Sequence, residues 1–345
     1  MSTHTDELTS MVRSVFADHP AEVADGLPEA LWATLTELGL VQLSLPEQAG
    51  GSGGTLADSA ALLLVAGEAA APVPLAETEL AGWLLHAAGL PVPAGVLAVA
   101  SGDLTVRSQP GGGVAVSGRL ARVGWARHAA RVAVLAGDLV LSVDPRAPGV
   151  ELVEGANLAG EPRDELRLDV TVAAEDLAPA PDGAGELLAR RAALARALLL
   201  AGAAQRALAG SVRYAGERIQ FGRPIAKFQA VQQQLALAAG EVAAARAAAE
   251  AAAGIADGGF GTDDAELAIA VAKARTSEAA GAVARIAHQV HGAIGFTLEH
   301  DLRLATTRLW AWREEDGSDA HWNAVVGRRT LDAGADGLWP MLTRA

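Results

Sequence analysis

The sequence predicts a chain in three parts: an N-terminal helical domain over residues 1–93, a middle β-barrel or sandwich domain over 94–180, and a C-terminal helical bundle domain over 181–345. Three observations carry this. Apolar residues recur at helical spacing from residue 6 to about 91. From about Val96 the period changes to short β-prone runs. From Leu187 onward, long Ala-, Leu- and Arg-rich segments return, with a rigid break at Arg218–Gln232.

In the first part, Glu29–Leu38 has apolar positions at helical spacing and stops at Gly39, a C-cap signal. The stretch Leu43–Gly54 is too glycine-rich for a helix and reads as a flexible linker. No Lys-Ser/Thr follows its glycines, which argues against a phosphate loop. Asp58–Ala71 is helical again, and Ala71-Pro72-Val73-Pro74-Leu75 breaks it.

In the second part, Leu104–Arg107, Val114–Ser117, Arg131–Leu135, Leu139–Val143 and Leu166–Val170 are β-prone and separated by Gly, Pro and Asp turns. They read as a small antiparallel barrel or sandwich.

In the third part, Leu187–Glu217 and Phe228–Ala256 form a helical hairpin about the break. Pro224 lacks an N–H and pushes Arg223 out of the α region, while Gly222 relaxes the turn. The break is crowded with chemistry: Arg218, Phe221, Phe228, and the amides of Gln229, Gln232, Gln233 and Gln234. A planar guanidinium and neutral hydrogen-bonding edges suit a nucleotide. A solvated corner with Arg218 paired to Glu217 or a nearby acid is the other reading. Thr262–Val290 supplies a further helix, burying Ile269, Val271, Val283 and Ile286 on one stripe. At its end Gly292 and Gly295 permit close backbone approach to a ligand, or simply cap the helix. His291 and His300 stand too far from other ligand-type residues to suggest a metal.

Hydrophobic residues make up 51% of the 345, which excludes a disordered chain. Asp and Glu total 41 against 27 Lys and Arg, a formal charge of −14 that disfavours nucleic acid and anionic membrane as partners. Cysteine is absent, so there is no disulfide framework, thiolate nucleophile or cysteine metal site. The first residues carry no signal-peptide pattern, and arginines interrupt the Ala/Leu tracts. The expectation is a soluble, cytoplasmic protein.

The string Arg218-x-x-Phe221-Gly222-x-Pro224-Ile225-x-x-Phe228-Gln229-x-x-Gln232 resembles the C-terminal helical domain of the acyl-CoA dehydrogenase family. Gln289-Val290-His291-Gly292-Ala293-Ile294-Gly295-Phe296-Thr297 is similar to that family's Gln-x-x-Gly-Gly-x-Gly-Phe/Tyr-Thr segment, with Ala293 in place of the second glycine. Trp32-x-x-Leu35-x-Glu37-Leu38-Gly39-Leu40 with Pro46-Glu47-x-x-Gly50-Gly51 is similar to its N-terminal domain. The resemblance implies an acyl-CoA dehydrogenase-like fold, with a four-helix bundle as the C-terminal domain. It also implies FAD gripped by the neighbouring subunit's bundle, here through Arg218, Phe221, Phe228, Gln229, Gln289, Gly292 and Ala293. The family's middle-domain Thr/Ser-Glu-Pro-x-x-Gly-Ser-Asp segment has no counterpart; Ala100-Ser101-Gly102-Asp103 is the nearest scrap. Trp125 stacks on a flavin or is a buried barrel residue.

Aligned without a gap from Gln289, Asp316-Gly317-Ser318 falls on the family's Glu-Gly-Thr. Asp316 becomes the implied base and Glu315 the fallback, with Gly317 and Ser318 beside the flavin. A solvated acidic turn, with Asp316 or Asp319 capping the next helix, is the alternative. The base position that some relatives use falls near Ala192, and a thioester-binding Arg position falls close to Ala193, with Arg190 and Arg191 adjacent. The implied reaction is α,β-dehydrogenation of an acyl-CoA or other acyl thioester. Asp316 removes the α-proton and hydride passes to flavin N5, with an electron-transfer flavoprotein as acceptor. A homo- or hetero-oligomer, dimer or tetramer, follows, as does a role in lipid or steroid metabolism like that of actinobacterial α2β2 enzymes. The competing expectation is a catalytically silent subunit that completes a partner's FAD site.

Overall fold

The structure, a computed structural model, describes residues 3–21, 26–110, 112–297 and 300–343. In chain order the helices α1 (Thr3–Asp18), α2 (Glu29–Glu37), α3 (Leu56–Ala69) and α4 (Leu75–Ala87) come first. The strands β1 (Leu97–Ser101), β2 (Thr105–Ser108), β3 (Val114–Gly124), β4 (Arg131–Ala136), β5 (Leu139–Val143), β6 (Val150–Val153), β7 (Arg163–Val172) and β8 (Leu177–Pro179) follow. Then come α5 (Ala184–Glu217), the two-residue strands β9 (Ile219–Gln220) and β10 (Arg223–Pro224), and the helices α6 (Gln229–Ala256), α7 (Asp263–His291), α8 (Leu302–Trp312) and α9 (Asp319–Thr343). The chain divides into two compact units. One holds Met1–Glu22, Ala60–Ala71 and Arg190–Ala345; the other holds Val23–Ser59 and Pro72–Ala189.

In the second unit the β runs form two four-stranded sheets, ordered β1-β4-β5-β8 and β2-β3-β7-β6. The alternation of buried and exposed residues along β7 (Leu166, Leu168, Val170 and Val172 inward) is what one solvated sheet face demands. The expected antiparallel arrangement needs a correction, because β1 pairs parallel to β4, with Leu97 opposite Arg131. The reason is topological. The chain leaves β1 for the other sheet and returns after β3, and such a crossover permits parallel pairing where a tight hairpin cannot. A bulge between Leu120 and Val123, with Arg122 at φ 57, bends the long β3. Trp125 is 3% exposed and packs inside this unit, so the buried reading holds.

The glycine-rich stretch is not a loose linker. Gly53 and Gly54 donate to Leu45 O and Leu43 O at 2.9 and 2.8 Å, and a Cβ on Gly51 would meet Leu45 O at 2.2 Å. Helix α3 starts two residues before the expected Asp58 because Thr55 and Asp58 cap each other: Asp58 N–H donates to Thr55 Oγ1 at 3.2 Å and Thr55 N–H to Asp58 Oδ2 at 3.0 Å.

In the first unit α7 is the central helix, packed against α6, α8 and α9. Ile269, Lys273, Thr276, Ala280, Val283 and Ala287 recur every three or four residues and are buried. Val271 is not on that stripe and is 40% exposed, a correction to the expected core; two residues from Ile269, it faces about 200° away. Where α3 and α5 cross, a Cβ on Gly202 would meet Leu64 O at 2.1 Å. Thr262 caps α7 by accepting from Ala265 N–H at 3.2 Å. Among the described residues no helix is long and apolar enough to cross a membrane.

Candidate functional site

Two turns of the first unit hold the chemistry, and each places a non-glycine residue ahead of a glycine at positive φ. The first joins α8 to α9. Asp316 has φ 56 and Gly317 φ 90, a backbone that L-residues adopt at a cost. Two side chains enforce it. The indole Nε1–H of Trp322 donates to Asp316 O at 2.9 Å. Lys273 Nζ donates to Gly317 O at 2.7 Å, to Arg313 O at 3.1 Å and to Ser277 Oγ at 3.0 Å. A Cβ on Gly317 would lie 2.4 Å from that indole nitrogen, so no larger residue fits.

Both candidate carboxylates meet one guanidinium. Arg196 Nε donates to Asp316 Oδ2 at 2.8 Å, and its Nη2 lies 3.3 Å from Glu315 Oε2. The Arg196 and Glu315 side chains are 7% and 8% exposed, whereas Asp316 keeps 28%. Burial pushes the Lys273 ammonium down to about 8, against the nearby charge of Asp316 that favours the protonated form. Ser318 Oγ accepts from His321 N–H at 3.3 Å, so Ser318, rather than Asp316 or Asp319, caps α9. Arg190 and Arg191 turn elsewhere: Arg190 donates to Phe260 O at 3.0 Å and pairs with Glu266, and Arg191 stacks over the Phe260 ring.

The second turn is the break between α5 and α6. Strands β9 and β10 pair as Gln220 with Arg223, and the two residues between them, Phe221 and Gly222, have φ 49 and 77. This is the mirror-image turn of a tight hairpin, a conformation unfavourable to a bulky ring. The turn carries Phe221 outward, 92% exposed, its ring edge-on to Phe228 at 6.1 Å. Arg223 stacks on Phe228 from 4.4 Å. Arg218 is exposed and, among the described residues, makes no ion pair, which removes the reading of a paired corner arginine. Gln229 and Gln289 are exposed; Gln232 instead donates to Ala226 O at 2.9 Å.

An apolar cluster of Tyr214, Ala215, Ile225, Val231, Ala238, Ile286 and Val290 packs the break against the end of α7. The structure therefore brings Arg218, Phe221, Phe228 and Gln229 to the same end of the bundle as Gln289, Gly292 and Ala293. It keeps them from the acidic turn: Arg196 and Arg218 are separated by roughly 33 Å of helix at 1.5 Å per residue. Gly292 and Ala293 are exposed, but Gly295 is buried, and its close approach is to His291 and Leu302 of its own chain. The corner fits the nucleotide half of FAD by donor type, with the exposed guanidinium of Arg218, the exposed amides of Gln229 and Gln289 and the exposed ring of Phe221. In the other unit Ser101 and Asp103 are exposed, at the end of β1 and just beyond it.

Comparisons with known proteins decide the family. The acyl-CoA dehydrogenase N-terminal domain model matches residues 3–91 and the C-terminal domain model matches residues 186–331. The chain belongs to the acyl-CoA dehydrogenase family. Among relatives in this family, acyl-CoA dehydrogenase IpdE2 of Mycobacterium tuberculosis is 34% identical over 86% of this chain and 88% of its own. IpdE2 of Mycolicibacterium smegmatis is 33% identical over 81% of each. The ChsE4-ChsE5 complex from Mycobacterium tuberculosis contains a chain of the same fold, with a TM-score of 0.88 at 24% identity over 97% and 99% of the two chains. A chain of a variant of the Tcur3481-Tcur3483 steroid ACAD gives a TM-score of 0.85 at 28% identity over 96% and 99%.

Sequence reasoning in the family frame missed Arg196, Lys273 and Trp322. Arg196 was findable, because it lies one helical turn after Ala192, the position where some members of the family keep their base, and therefore on the same face. Lys273 sits among alanines with nothing to mark it. His291 and His300 were expected to stand apart from other ligand-type residues, yet their rings meet edge to face at 4.8 Å because the chain doubles back after α7. Among the described residues no three His, Asp or Glu side chains converge as a metal site.

Proposed function

We propose that the chain serves in FAD-dependent α,β-dehydrogenation of an acyl-CoA as one subunit of an oligomer, its Arg218–Gln229 corner completing the flavin site of a neighbouring chain. One observation carries this reading: the corner and the carboxylate turn lie roughly 33 Å apart along α5, so one chain presents them to two different sites. The exposed Phe221 supports it, since an aromatic ring held out of its own core by an unfavourable backbone needs something to cover it.

In this reading Arg218 meets the pyrophosphate, and Gln229 and Gln289 meet neutral edges of the dinucleotide. When bound, FAD supplies the acceptor for the substrate's β-hydrogen. Asp316 faces the α-proton. Its carboxylate is held by Arg196, and its backbone by Trp322 and, through Gly317, by Lys273, so the group is positioned before substrate arrives. The similarity to a steroid ACAD favours a steroid-derived acyl-CoA as substrate. An electron-transfer flavoprotein is the expected electron acceptor.

A second reading has a specific observation behind it. Arg196 engages both Glu315 and Asp316, and a carboxylate must loosen a charged hydrogen bond, typically about 1.5–3 kcal/mol, before taking up a proton there. In that case this chain completes a partner's flavin site and turns nothing over itself. The absorbance spectrum of the chain purified alone, followed by anaerobic addition of an acyl-CoA panel, separates the two. Flavin bands that bleach establish a self-sufficient dehydrogenase. A colourless or unbleachable protein establishes the silent subunit, whose partner co-purifies as a base-bearing homologue.

A further inference from the structure

A cavity of about 580 Å³ opens in the first unit beside the middle of α5, within the size range of sites for small metabolites. Its wall carries Arg13 from α1, Glu68 from α3, Arg206 and Arg213 from α5, Arg246 from α6 and His291 from the end of α7; Asp301, just before α8, closes it. Guanidiniums outnumber carboxylates four to two among the described lining residues. Glu68 is spent on two of them, at 3.0 Å from Arg13 and 3.3 Å from Arg246. Among the described residues Arg206 donates to the backbone carbonyls of Glu68 and Ala69, at 3.3 and 3.4 Å, and makes no ion pair. Arg213, two helical turns further along α5, makes no ion pair among the described residues. Arg246 is paired a second time, with Glu250 at 2.9 Å, so the guanidiniums of the wall that make no ion pair among the described residues are those of Arg206 and Arg213.

The wall also holds an acceptor with no donor. His291 Nδ1 lies 2.8 Å from Ala287 O, which places the proton of the neutral ring on Nδ1; the buried Nε2 then has no partner among the described residues. Its ring is stacked on Tyr214 at 4.4 Å and fixed in that orientation. Burial pulls the Arg206 guanidinium below its usual range, opposed by the nearby charge of Asp301 and reinforced by Arg308 and Arg213.

We infer that this cavity binds a small organic phosphate, a phosphomonoester dianion gripped by Arg206 and Arg213. The charge argues for a dianion, since a phosphomonoester carries about −1.5 to −2 at neutral pH and matches the two guanidiniums, Arg206 and Arg213, that make no ion pair among the described residues. The planar forks of two arginines suit its oxygens, and the volume admits more than a bare ion. Arg218 does not line this cavity, although His291 of its wall stands between Gln289 and Gly292 of the corner, so an Arg218 variant separates the two inferences.

Isothermal titration of the full chain with ribose 5-phosphate tests it, with ribose, succinate and inorganic phosphate as comparison ligands. Saturable binding of ribose 5-phosphate, absent for ribose, is expected. Arg213→Ala weakens it roughly 10-fold or more, while Arg218→Ala leaves it unchanged. Arg213 is exposed, so that variant keeps its fold, checked by an unaltered circular-dichroism melt. No binding, succinate binding in place of the phosphate ester, or a constant that Arg213→Ala does not move would overturn the assignment. So would inorganic phosphate binding as tightly as ribose 5-phosphate, which reduces the cavity to an adventitious anion hole, or loss of binding in Arg218→Ala.

Discussion

Arg196 Nε donates to Asp316 Oδ2 at 2.8 Å, and the same guanidinium reaches Glu315 at 3.3 Å, so a single buried arginine anchors both carboxylates of the α8–α9 turn. Arg196→Leu therefore withdraws the counter-charge from Glu315, which is 8% exposed, and is expected to cost roughly 3–5 kcal/mol of stability. Urea denaturation of the two proteins measures it. Asp316→Asn retains a hydrogen-bonding group beside Arg196 and should change stability far less. In a self-sufficient enzyme it should lower the rate of flavin bleaching by about 10²–10⁴-fold, the usual share of a general base, with the flavin retained.

Lys273 gives a pH dependence with a definite sign. Its folded-state pKa is about 8, below the 10.5 of an unfolded lysine, because the ammonium is buried. Between those values the unfolded chain holds more protons, so this group's contribution to stability rises with pH from about 8 to 10.5 and is flat below 8. Full relief amounts to roughly 3 kcal/mol at 1.36 kcal/mol per pH unit. Denaturant curves of wild type and Lys273→Met at pH 7 and pH 10 provide the check. The difference should move toward the wild type at the higher pH, and a constant difference would mean the ammonium carries no burial cost.

The helical segments and five β runs were legible because their periods are local, as was the break at Pro224. The strands β1, β6 and β8 were not: Leu97–Ser101 alternates with alanine, which is depleted in strands, and Val150–Val153 and Leu177–Pro179 are too short to show a period. The corner's residue types were legible. Its exposure was not, since whether Arg218 finds an acid depends on neighbours far along the chain. Arg196 and Lys273 escaped for the same reason; their partners are 120 and 44 residues away.

The corner predicts a separation of folding from cofactor retention. Arg218 and Gln229 are exposed, and Arg218 makes no ion pair among the described residues, so Arg218→Ala and Gln229→Ala should each change stability by no more than about 0.5 kcal/mol. Flavin content of the purified oligomer, read as the ratio of 450 to 280 nm absorbance after gel filtration, should nonetheless fall. Phe221→Ser should weaken association between chains, visible as an earlier dissociation on dilution. A variant oligomer that keeps full flavin content would remove the corner from the flavin site.

The crossing of α3 and α5 predicts opposite outcomes for the same substitution at two helical glycines. A Cβ on Gly202 meets Leu64 O at 2.1 Å and Glu68 N at 2.7 Å, backbone atoms that cannot swing aside, so Gly202→Ala must push the helices apart. The expected cost is about 1–3 kcal/mol, as for overpacking of a tight core. A Cβ on Gly240 in α6 meets nothing within 4 Å. Gly240→Ala should stabilise by about 1 kcal/mol, because alanine loses less backbone freedom in a helix. Thermal melts of both variants against wild type decide the matter. A neutral Gly202→Ala would mean that α3 and α5 approach less closely than the backbone positions of Leu64 and Gly202 require.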